Sequence, residues 1–345
     1  MTMTPAAGAQ LLSDVSTPER AGERPAARLA EVRDLLGDDL AFVAAEVERS
    51  AAVGPSPGAD AAGHLAKAGG KRVRPMLVLL GAAAFRPATP AARDLAVVAE
   101  LVHLATLLHD DVIDDGDERR GQPTARRVFG NAVSVLAGDL LLTHALERTA
   151  RAAPAALPSL VATLRRLVDG EIVQLRGRMR LDVDRATYER VVRDKTASLF
   201  GWAARAGAAA AGAGEGAQAA LERYGEELGV AFQIVDDVLD FEGDPRATGK
   251  SLLADAREGK LTLPLLLAVE LRPELEAELA RARAGDEAAA LRLGEAVRGS
   301  TACATARARA VDHTTQAIGA LAALPASPVR ELLAAVGQDL ARRAS

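Results

Sequence analysis

The sequence predicts an all-α protein, built as a single large helical bundle around a central cavity. Apolar residues recur with the period of an α-helix along nearly the whole chain, and almost no segment alternates as a β-strand would. The chain has 345 residues, 49% of them apolar, so it can bury a large core. No long linker follows residue 55, and we therefore expect one domain over residues 27–345 after a flexible N-terminal extension at 1–26.

Glycine and proline mark the ends of the predicted helices, because both residues interrupt regular helical structure. The main breaks lie at 54–58, 86–87, 121–123 and 242–249. Between them the periodicity predicts helices over 27–50, 57–68, 73–85, 90–115, 131–151, 155–180, 185–211, 215–242 and 261–270, with three or four more from residue 274 onward.

Composition narrows the classes of partner and the compartment. The net charge of -5 and a pI near 5.7 do not favour nucleic acid as a partner. Cys303 is the single cysteine, so no internal disulfide can form and a reducing compartment is expected. No apolar run is long enough to span a membrane, and the first two dozen residues lack the apolar region of a signal peptide. We therefore expect a cytoplasmic protein without a membrane span.

Two acidic clusters of identical spacing end two of the apolar helices. They comprise Asp110, Asp111 and Asp114 in DDVID and Asp236, Asp237 and Asp240 in DDVLD. Carboxylates four residues apart stand one above the other on a helix, and hard oxygen ligands suit Mg²⁺. Facing each other across the cavity, the two clusters predict a magnesium site that holds a diphosphate. The alternative interpretation is a pair of solvated helix faces, which six like charges would make unfavourable without cations between them.

Basic segments supply the complementary charge. GGKRVRP at 69–75 places Lys71, Arg72 and Arg74 at the start of a helix, where cationic side chains and helix N-terminal amides can bind an anion together. Alone, this segment could also be a basic surface loop. The other candidate substrate-binding residues are Arg119, Arg120, Lys195, Thr196, Gln233, Lys250 and Lys260.

Two histidines precede the first acidic cluster. We expect His103 to donate a hydrogen bond to a phosphate oxygen and His109 to be a packed residue, although their spacing also permits a mixed site with the aspartates.

With these motifs together, the sequence resembles the polyprenyl synthetase family, the trans-polyprenyl diphosphate synthases, over residues 28–345. Within this family, the sequence is most similar to long-chain bacterial members such as octaprenyl diphosphate synthase. It is carried, in order, by GGKRVRP, ELVH, LLHDDVIDDGDERRG, GNAVSVLAGDLLL, GEIVQ, KTASLF, FQIVDDVLDFEGD and GKSLLADAREGKLTLP.

The resemblance implies the isoprenoid synthase fold and a prenyltransferase that joins isopentenyl diphosphate to an allylic diphosphate. It implies that two or three Mg²⁺ ions are held by the six aspartates, and that the enzyme is a homodimer whose product is delivered to a membrane. The residues implied to act on the departing diphosphate are Arg119, Lys195, Thr196, Gln233 and Lys250. Those implied to bind isopentenyl diphosphate are Lys71, Arg72, Arg74, His103 and Arg120.

The same resemblance implies that the residue five positions before the first aspartate influences the length of the product. Here it is Ala105, followed by Thr106, and neither side chain is large enough to stop a growing tail. The sequence therefore predicts a long product of about C35 to C50, with octaprenyl diphosphate as the single expectation. The alternative for Ala105 is that it only permits close helix packing.

Three other functions share some of these features. A short-chain farnesyl or geranylgeranyl diphosphate synthase would have the same motifs. A class I terpene cyclase shares the fold and one aspartate motif, but few aromatic residues are present here to surround a carbocation. A non-catalytic subunit of a heteromeric synthase commonly loses an aspartate motif, whereas both are intact here.

Overall fold

The computed structural model describes residues 25–119, 121–180, 184–243 and 253–344, and confirms the predicted all-α class. The α-helices of these ranges are α1 (Pro25–Ala51), α2 (Gly58–Lys67), α3 (Val73–Ala83), α4 (Pro90–Ile113), α5 (Ala125–Phe129), α6 (Asn131–Ala152), α7 (Leu157–Arg180), α8 (Arg185–Val191), α9 (Ser198–Ala210), α10 (Glu215–Glu242), α11 (Ala254–Arg257), α12 (Leu263–Leu271), α13 (Leu275–Arg283), α14 (Glu287–Arg298), α15 (Ala302–Ala320) and α16 (Pro328–Ala344).

The shorter elements connect these helices. They are a two-residue antiparallel ribbon, β1 (Glu118–Arg119) with β2 (Gln122–Pro123), two 3₁₀ turns at Pro154–Ala156 and Leu321–Ala323, and one π-helical turn at Val192–Ala197.

The boundaries agree with the sequence prediction except in three places. The single helix expected over 185–211 is α8 and α9 joined by the π turn. The ribbon and α5 between the first acidic cluster and α6 were not predicted, nor was the four-residue α11. Short elements of this kind depend on tertiary contacts, because an isolated helical turn is not stable alone.

Side-chain caps and proline fix the helix starts that flank the site. Thr89 accepts a hydrogen bond from Ala92 N at 3.1 Å, and Pro90 occupies the first position of α4. Asp184 likewise accepts a hydrogen bond from Thr187 N at 2.9 Å and is the N-cap of α8. These caps satisfy backbone donors that a helix start leaves without partners.

Glycine brings three central helices into close contact. A Cβ atom on Gly207 of α9 would lie 1.9 Å from Val78 O of α3, and one on Gly225 of α10 would lie 2.4 Å from Phe200 O of α9. Both positions therefore require glycine. As a result α9 packs closely against both α3 and α10, and these helices form part of the main hydrophobic core.

The helices α4 and α10 are buried along most of their length, and both end at an acidic cluster. Asp110 and Asp111 lie in the last turn of α4, Asp114 is its C-terminal cap, and Asp240 lies in the last turn of α10. Because the C-terminal end of a helix carries partial negative charge, these carboxylates need cations nearby. None of the described helices is both long and apolar enough to cross a bilayer.

Candidate active site

The first acidic cluster is held by basic side chains from later in the chain. Arg119 follows the turn after α4 and folds back, so that its Nε lies 2.9 Å and its Nη2 2.7 Å from Asp111 Oδ1. The buried Asp111 Oδ2 has no hydrogen-bond partner. Gly116 N donates to Asp111 O at 2.9 Å, which closes the turn that returns Arg119 to the helix end.

Asp114 contacts two cations from separate elements. Lys260 Nζ lies 2.8 Å from Asp114 Oδ2, and Arg178 Nη1 of α7 donates to Asp114 Oδ1. Arg178 Nε also donates to Glu258 O at 3.0 Å. The end of α4 is therefore tied to α7 and to the 258–260 segment.

The second acidic cluster faces donors from four elements. Asp237 accepts hydrogen bonds from Tyr188 Oη at 2.7 Å, Gln233 Nε2 at 2.9 Å and Leu263 N at 3.2 Å. Asp240 is buried and accepts from the backbone N of Asp255 at 3.4 Å, whereas Asp236 is half-buried.

Two connections join the clusters. In the π turn, Lys195 Nζ lies 3.7 Å from Asp110 Oδ2, while the neighbouring Thr196 donates to Gln233 Oε1 at 2.9 Å, and Gln233 in turn contacts Asp237. The second connection runs through Lys260, whose Nζ lies between Asp114 and Asp255 Oδ1, the latter at 3.6 Å. The structure thus brings both predicted acidic clusters to one site.

Burial dominates the electrostatics of this site. It raises the pKa of Asp110 and Asp111, although Lys195 and Arg119 respectively work against it. Burial also raises the pKa of Asp237 to about 7 despite its hydrogen-bond donors. Each of these carboxylates would gain from further positive charge, because an unpaired anion is costly in a poorly hydrated environment.

Asp114 and Lys260 show the effect of close pairing. Burial acts to raise the pKa of Asp114, but Lys260, Lys195 and Arg178 together outweigh it and lower that pKa. Burial acts to lower the pKa of Lys260, but Asp255, Asp114 and Glu258 raise it. Both groups therefore stay charged at neutral pH.

The predicted anion-binding segment lies at the start of α3. Arg72 adopts a left-handed backbone conformation with φ of 50° and donates to Glu100 of α4. Arg74 lies over the ring of Phe200, 4.7 Å from its centroid. Burial lowers the pKa of Arg74 to about 10, and Glu100 partly offsets this. Lys71 is exposed.

The predicted residues that precede the first acidic cluster lie on α4. His103 is half-buried and lies one turn after Glu100 on the same helix. Ala105 is fully buried, and the Thr106 hydroxyl donates to His103 O at 2.8 Å. His109 Nε2 lies 3.1 Å from Val135 O of α6, which agrees with its prediction as a packed residue.

Two predicted residues, Arg120 and Lys250, lie outside the described residues. Other residues of the site were missed by the sequence reasoning. They include Gln174 and Glu171, both on α7 within the motif GEIVQ. Lys195 Nζ donates to Gln174 Oε1 at 2.7 Å and pairs with Glu171. A polar pair at i and i+3 in that motif was the available signal, whereas Arg178 and Tyr188 stand in no motif that sequence reasoning could use.

The donor set fits a divalent cation that is only partly bound by protein. Within the described ranges, no three His, Cys, Asp or Glu side chains converge closely enough to hold an ion by themselves. Mg²⁺ is commonly bound by one or two carboxylates together with water and substrate phosphates. The unpartnered Asp111 Oδ2 and the raised pKa of Asp110 are consistent with that arrangement.

Comparison with known proteins identifies the family. The family model described as polyprenyl synthetase matches residues 58–298. A heptaprenyl diphosphate synthase component 2 from Geobacillus stearothermophilus is 41% identical over 243 residues, which cover 70% of this chain and 76% of the relative. The octaprenyl diphosphate synthase of Escherichia coli (strain K12) is 37% identical over 274 residues, covering 78% and 85% respectively.

A solved structure agrees with this assignment. The polyprenyl synthase from Caulobacter crescentus CB15, complexed with calcium and isoprenyl diphosphate, superposes with a TM-score of 0.85 at 36% identity and covers 91% of this chain and 97% of its own. The chain therefore belongs to the polyprenyl synthetase family of prenyltransferases, the trans-polyprenyl diphosphate synthases.

Proposed function

We propose that this protein is a magnesium-dependent synthase that condenses isopentenyl diphosphate with an allylic diphosphate to form an all-trans polyprenyl diphosphate. The observation that carries the proposal is the convergence of the two acidic clusters, each at the negative end of a buried helix and joined through Lys195, Thr196 and Lys260. Such a site binds cations and, through them, a diphosphate.

The six aspartates would hold two or three Mg²⁺ ions. When bound, magnesium neutralises the charge of the departing diphosphate and so favours its departure. Arg119 holds Asp111 of the first cluster in place and Tyr188 holds Asp237 of the second, so both carboxylates are oriented before substrate arrives.

In this proposal the residues that act on the departing diphosphate are Arg119, Lys195, Thr196, Gln233 and Lys250. Lys260 is a further substrate-binding residue. As the C–O bond of the allylic substrate breaks, its electron pair moves onto the diphosphate oxygen. Fixed donors at that position stabilise the developing charge without having to reorganise. The contacts of Lys195 with Gln174 and Asp110 place its ammonium group between α7 and α4, beside the first cluster.

Isopentenyl diphosphate would be held by Lys71, Arg72, Arg74, His103 and Arg120, with its double bond directed at the allylic carbon. The π electrons of that bond form the new C–C bond, and the proton lost from the neighbouring carbon goes to the released diphosphate. Holding both substrates in contact removes much of the entropic barrier.

The product is proposed to be long, about C35 to C50, with octaprenyl diphosphate favoured. Two observations support this. Ala105, five residues before Asp110, has only a methyl side chain. The relatives described above are named heptaprenyl diphosphate synthase component 2 and octaprenyl diphosphate synthase.

We propose that the protein forms a homodimer in which α7 provides the interface. Five apolar side chains on this helix are between 41% and 70% exposed, at positions spaced so that they form one face. They are Val161, Val168, Ile172, Leu175 and Met179. A contiguous exposed apolar face of this kind is typical of a protein–protein interface.

One relative supports a second candidate, a subunit of a heteromeric synthase, because that protein is named component 2. The retention of both aspartate clusters favours an active chain. The proposed catalytic domain spans 27–345 after the 1–26 extension, and a cytoplasmic location stays a prediction from the single cysteine.

The test is incorporation of radiolabelled isopentenyl diphosphate by the purified chain alone, with farnesyl diphosphate as primer. We expect a butanol-extractable product with Mg²⁺ and none with EDTA. Chromatography of the dephosphorylated product gives its length. Incorporation only after a second protein is added would favour the heteromeric candidate, and a cyclic hydrocarbon product would contradict the proposal.

A further inference from the structure

The π turn at Val192–Ala197 lies between two helices that reach it through glycine. A Cβ atom on Gly170 of α7 would lie 2.7 Å from Lys195 N, and one on Gly229 of α10 would lie 2.7 Å from Ala197 Cα. Real Cβ atoms essentially never approach other heavy atoms so closely. Because both nearest atoms belong to the backbone, the π turn cannot accommodate a larger residue by a change of rotamer.

A stripe of three residues on α7 contacts the π turn. Arg166, one turn before Gly170, donates through Nη2 to Arg193 O at 3.2 Å and through Nε to Asp194 Oδ1 at 3.1 Å. Gln174, one turn after Gly170, accepts from Lys195 Nζ at 2.7 Å. The spacing of four residues places all three on one face of α7.

Arg166 also fixes the second helix of this arrangement. Its Nη1 donates to Glu226 Oε1 of α10 at 2.6 Å, one turn before Gly229. The same guanidinium therefore holds α7, the π turn and α10 at a fixed separation, and the two glycines make that separation small enough for backbone contact.

The direction of two neighbouring side chains depends on this packing. Lys195 points to Asp110 and α7, whereas Thr196 points to Gln233 on α10. Successive residues of a helical turn point in different directions, so a shift of one position would turn both side chains away from their partners. π turns often occur at functional sites.

We propose that Gly170 and Gly229 are positioning residues that hold the π turn so that Lys195 reaches Asp110 of the first acidic cluster while Thr196 reaches Gln233, which contacts Asp237 of the second. This inference rests on the proposed function, since it concerns how two donors to the departing diphosphate are aimed. Neither glycine contacts substrate; both act through the backbone of residues 192–197.

The first test replaces each glycine with alanine. We expect Gly170→Ala and Gly229→Ala to lower kcat by about tenfold or more, because misplacing a group at a reacting centre by about 1 Å can cost on the order of a hundredfold. The KM for isopentenyl diphosphate should change little, since its proposed ligands lie elsewhere. Gly177→Ala on α7 and Gly216→Ala on α10 are matched controls, because their Cβ atoms would meet nothing closer than 3.9 Å. A kcat equal to that of the controls would overturn the proposal.

A double-mutant cycle separates positioning from general damage to the fold. In a Lys195→Ala/Thr196→Ala background, Gly170→Ala should lower kcat further by less than about twofold, because both side chains that it misdirects are already absent. Full multiplication of the two effects would overturn the proposal. If Gly170→Ala does not fold, the same cycle with Gly229→Ala in the Lys195→Ala/Thr196→Ala background decides.

Failure of the proposed function would look different. A wild-type chain that incorporates no isopentenyl diphosphate, or a Lys195→Ala variant as active as the wild type, would refute the assigned reaction or the role of this lysine. Full multiplication of the two effects in the mutant cycle, by contrast, leaves the assigned reaction and the role of Lys195 intact. It refutes only the positioning role of the glycines.

Discussion

Asp111 and Asp237 are buried carboxylates with different surroundings. Asp237 accepts three hydrogen bonds, from Tyr188, Gln233 and a backbone amide, whereas Asp111 has one oxygen paired with Arg119 and the other without a partner. Burial raises the pKa of both. A divalent cation placed between the clusters would relieve this cost in both.

The metal assignment can be tested at single residues. Asp110→Asn and Asp236→Asn keep the shape of the side chain and remove the charge, so we expect kcat to fall by two orders of magnitude or more, roughly the loss of a major electrostatic contribution. Far-ultraviolet circular dichroism should stay unchanged. Asp312→Asn, on the exposed face of α15, is the control and should retain full activity. Activity of the first two variants at the control level would refute the assignment.

Residue chemistry predicted some of the site and not the rest. Asp110, Lys195, Gln233 and Lys260 were predicted because their type and spacing are informative in the sequence, and the structure places them together. Tyr188 was not, because a tyrosine in an ordinary helix gives no sign that its hydroxyl will meet a buried carboxylate 49 positions away.

Among the elements, α4 carries Ala105, the residue that we propose to permit a long product. Ala105 is fully buried in this helix. We expect Ala105→Phe to shorten the product, because a ring at that position would block the path of the growing tail. Reversed-phase chromatography of the dephosphorylated products measures this. Overpacking should also lower the free energy of unfolding by about 1–3 kcal/mol, so product length is compared at equal active-enzyme concentration. An unchanged product profile would place the pocket elsewhere.

The exposed apolar face of α7 makes a prediction about assembly. Ile172→Glu places a charge at the centre of this face, where desolvation in an interface would be unfavourable. We expect sedimentation to show a dimer for the wild type and a monomer for the variant. Leu291→Glu, which makes a similar apolar-to-charge change at an exposed position of α14, should leave the dimer intact. A dimer in both variants would locate the interface on another surface.

Helix boundaries were predicted well and helix irregularities were not. Proline and capping residues such as Thr89 and Asp184 mark starts in the sequence. The π turn at 192–197 adds one residue to a helical turn without a break in apolar pattern, so a single helix over 185–211 was the natural prediction. The residues that pack most closely against its backbone, Gly170 and Gly229, lie on other helices.

For the whole molecule, we expect cation binding to be coupled to stability. Burial raises the pKa of Asp111 and Asp237, and the cost of these buried carboxylates would fall if Mg²⁺ and a diphosphate bound beside them. We expect the unfolding temperature to rise with Mg²⁺ plus a non-cleavable allylic diphosphate analogue, by an amount that corresponds to about 2.7 kcal/mol at a hundredfold excess over Kd. EDTA should abolish the shift. An equal shift in Asp236→Asn would show that the ligand binds elsewhere.

The contact between α1 and α16 joins the two ends of the described chain. During synthesis α1 leaves the ribosome long before residue 328, the start of α16, has been added. At about 5–20 residues per second this interval lasts roughly 15 to 55 s. For that time the apolar surface of α1 that α16 covers has no native partner. Nascent chains should therefore depend on chaperones late in translation, and truncation within α16 should yield aggregation-prone protein.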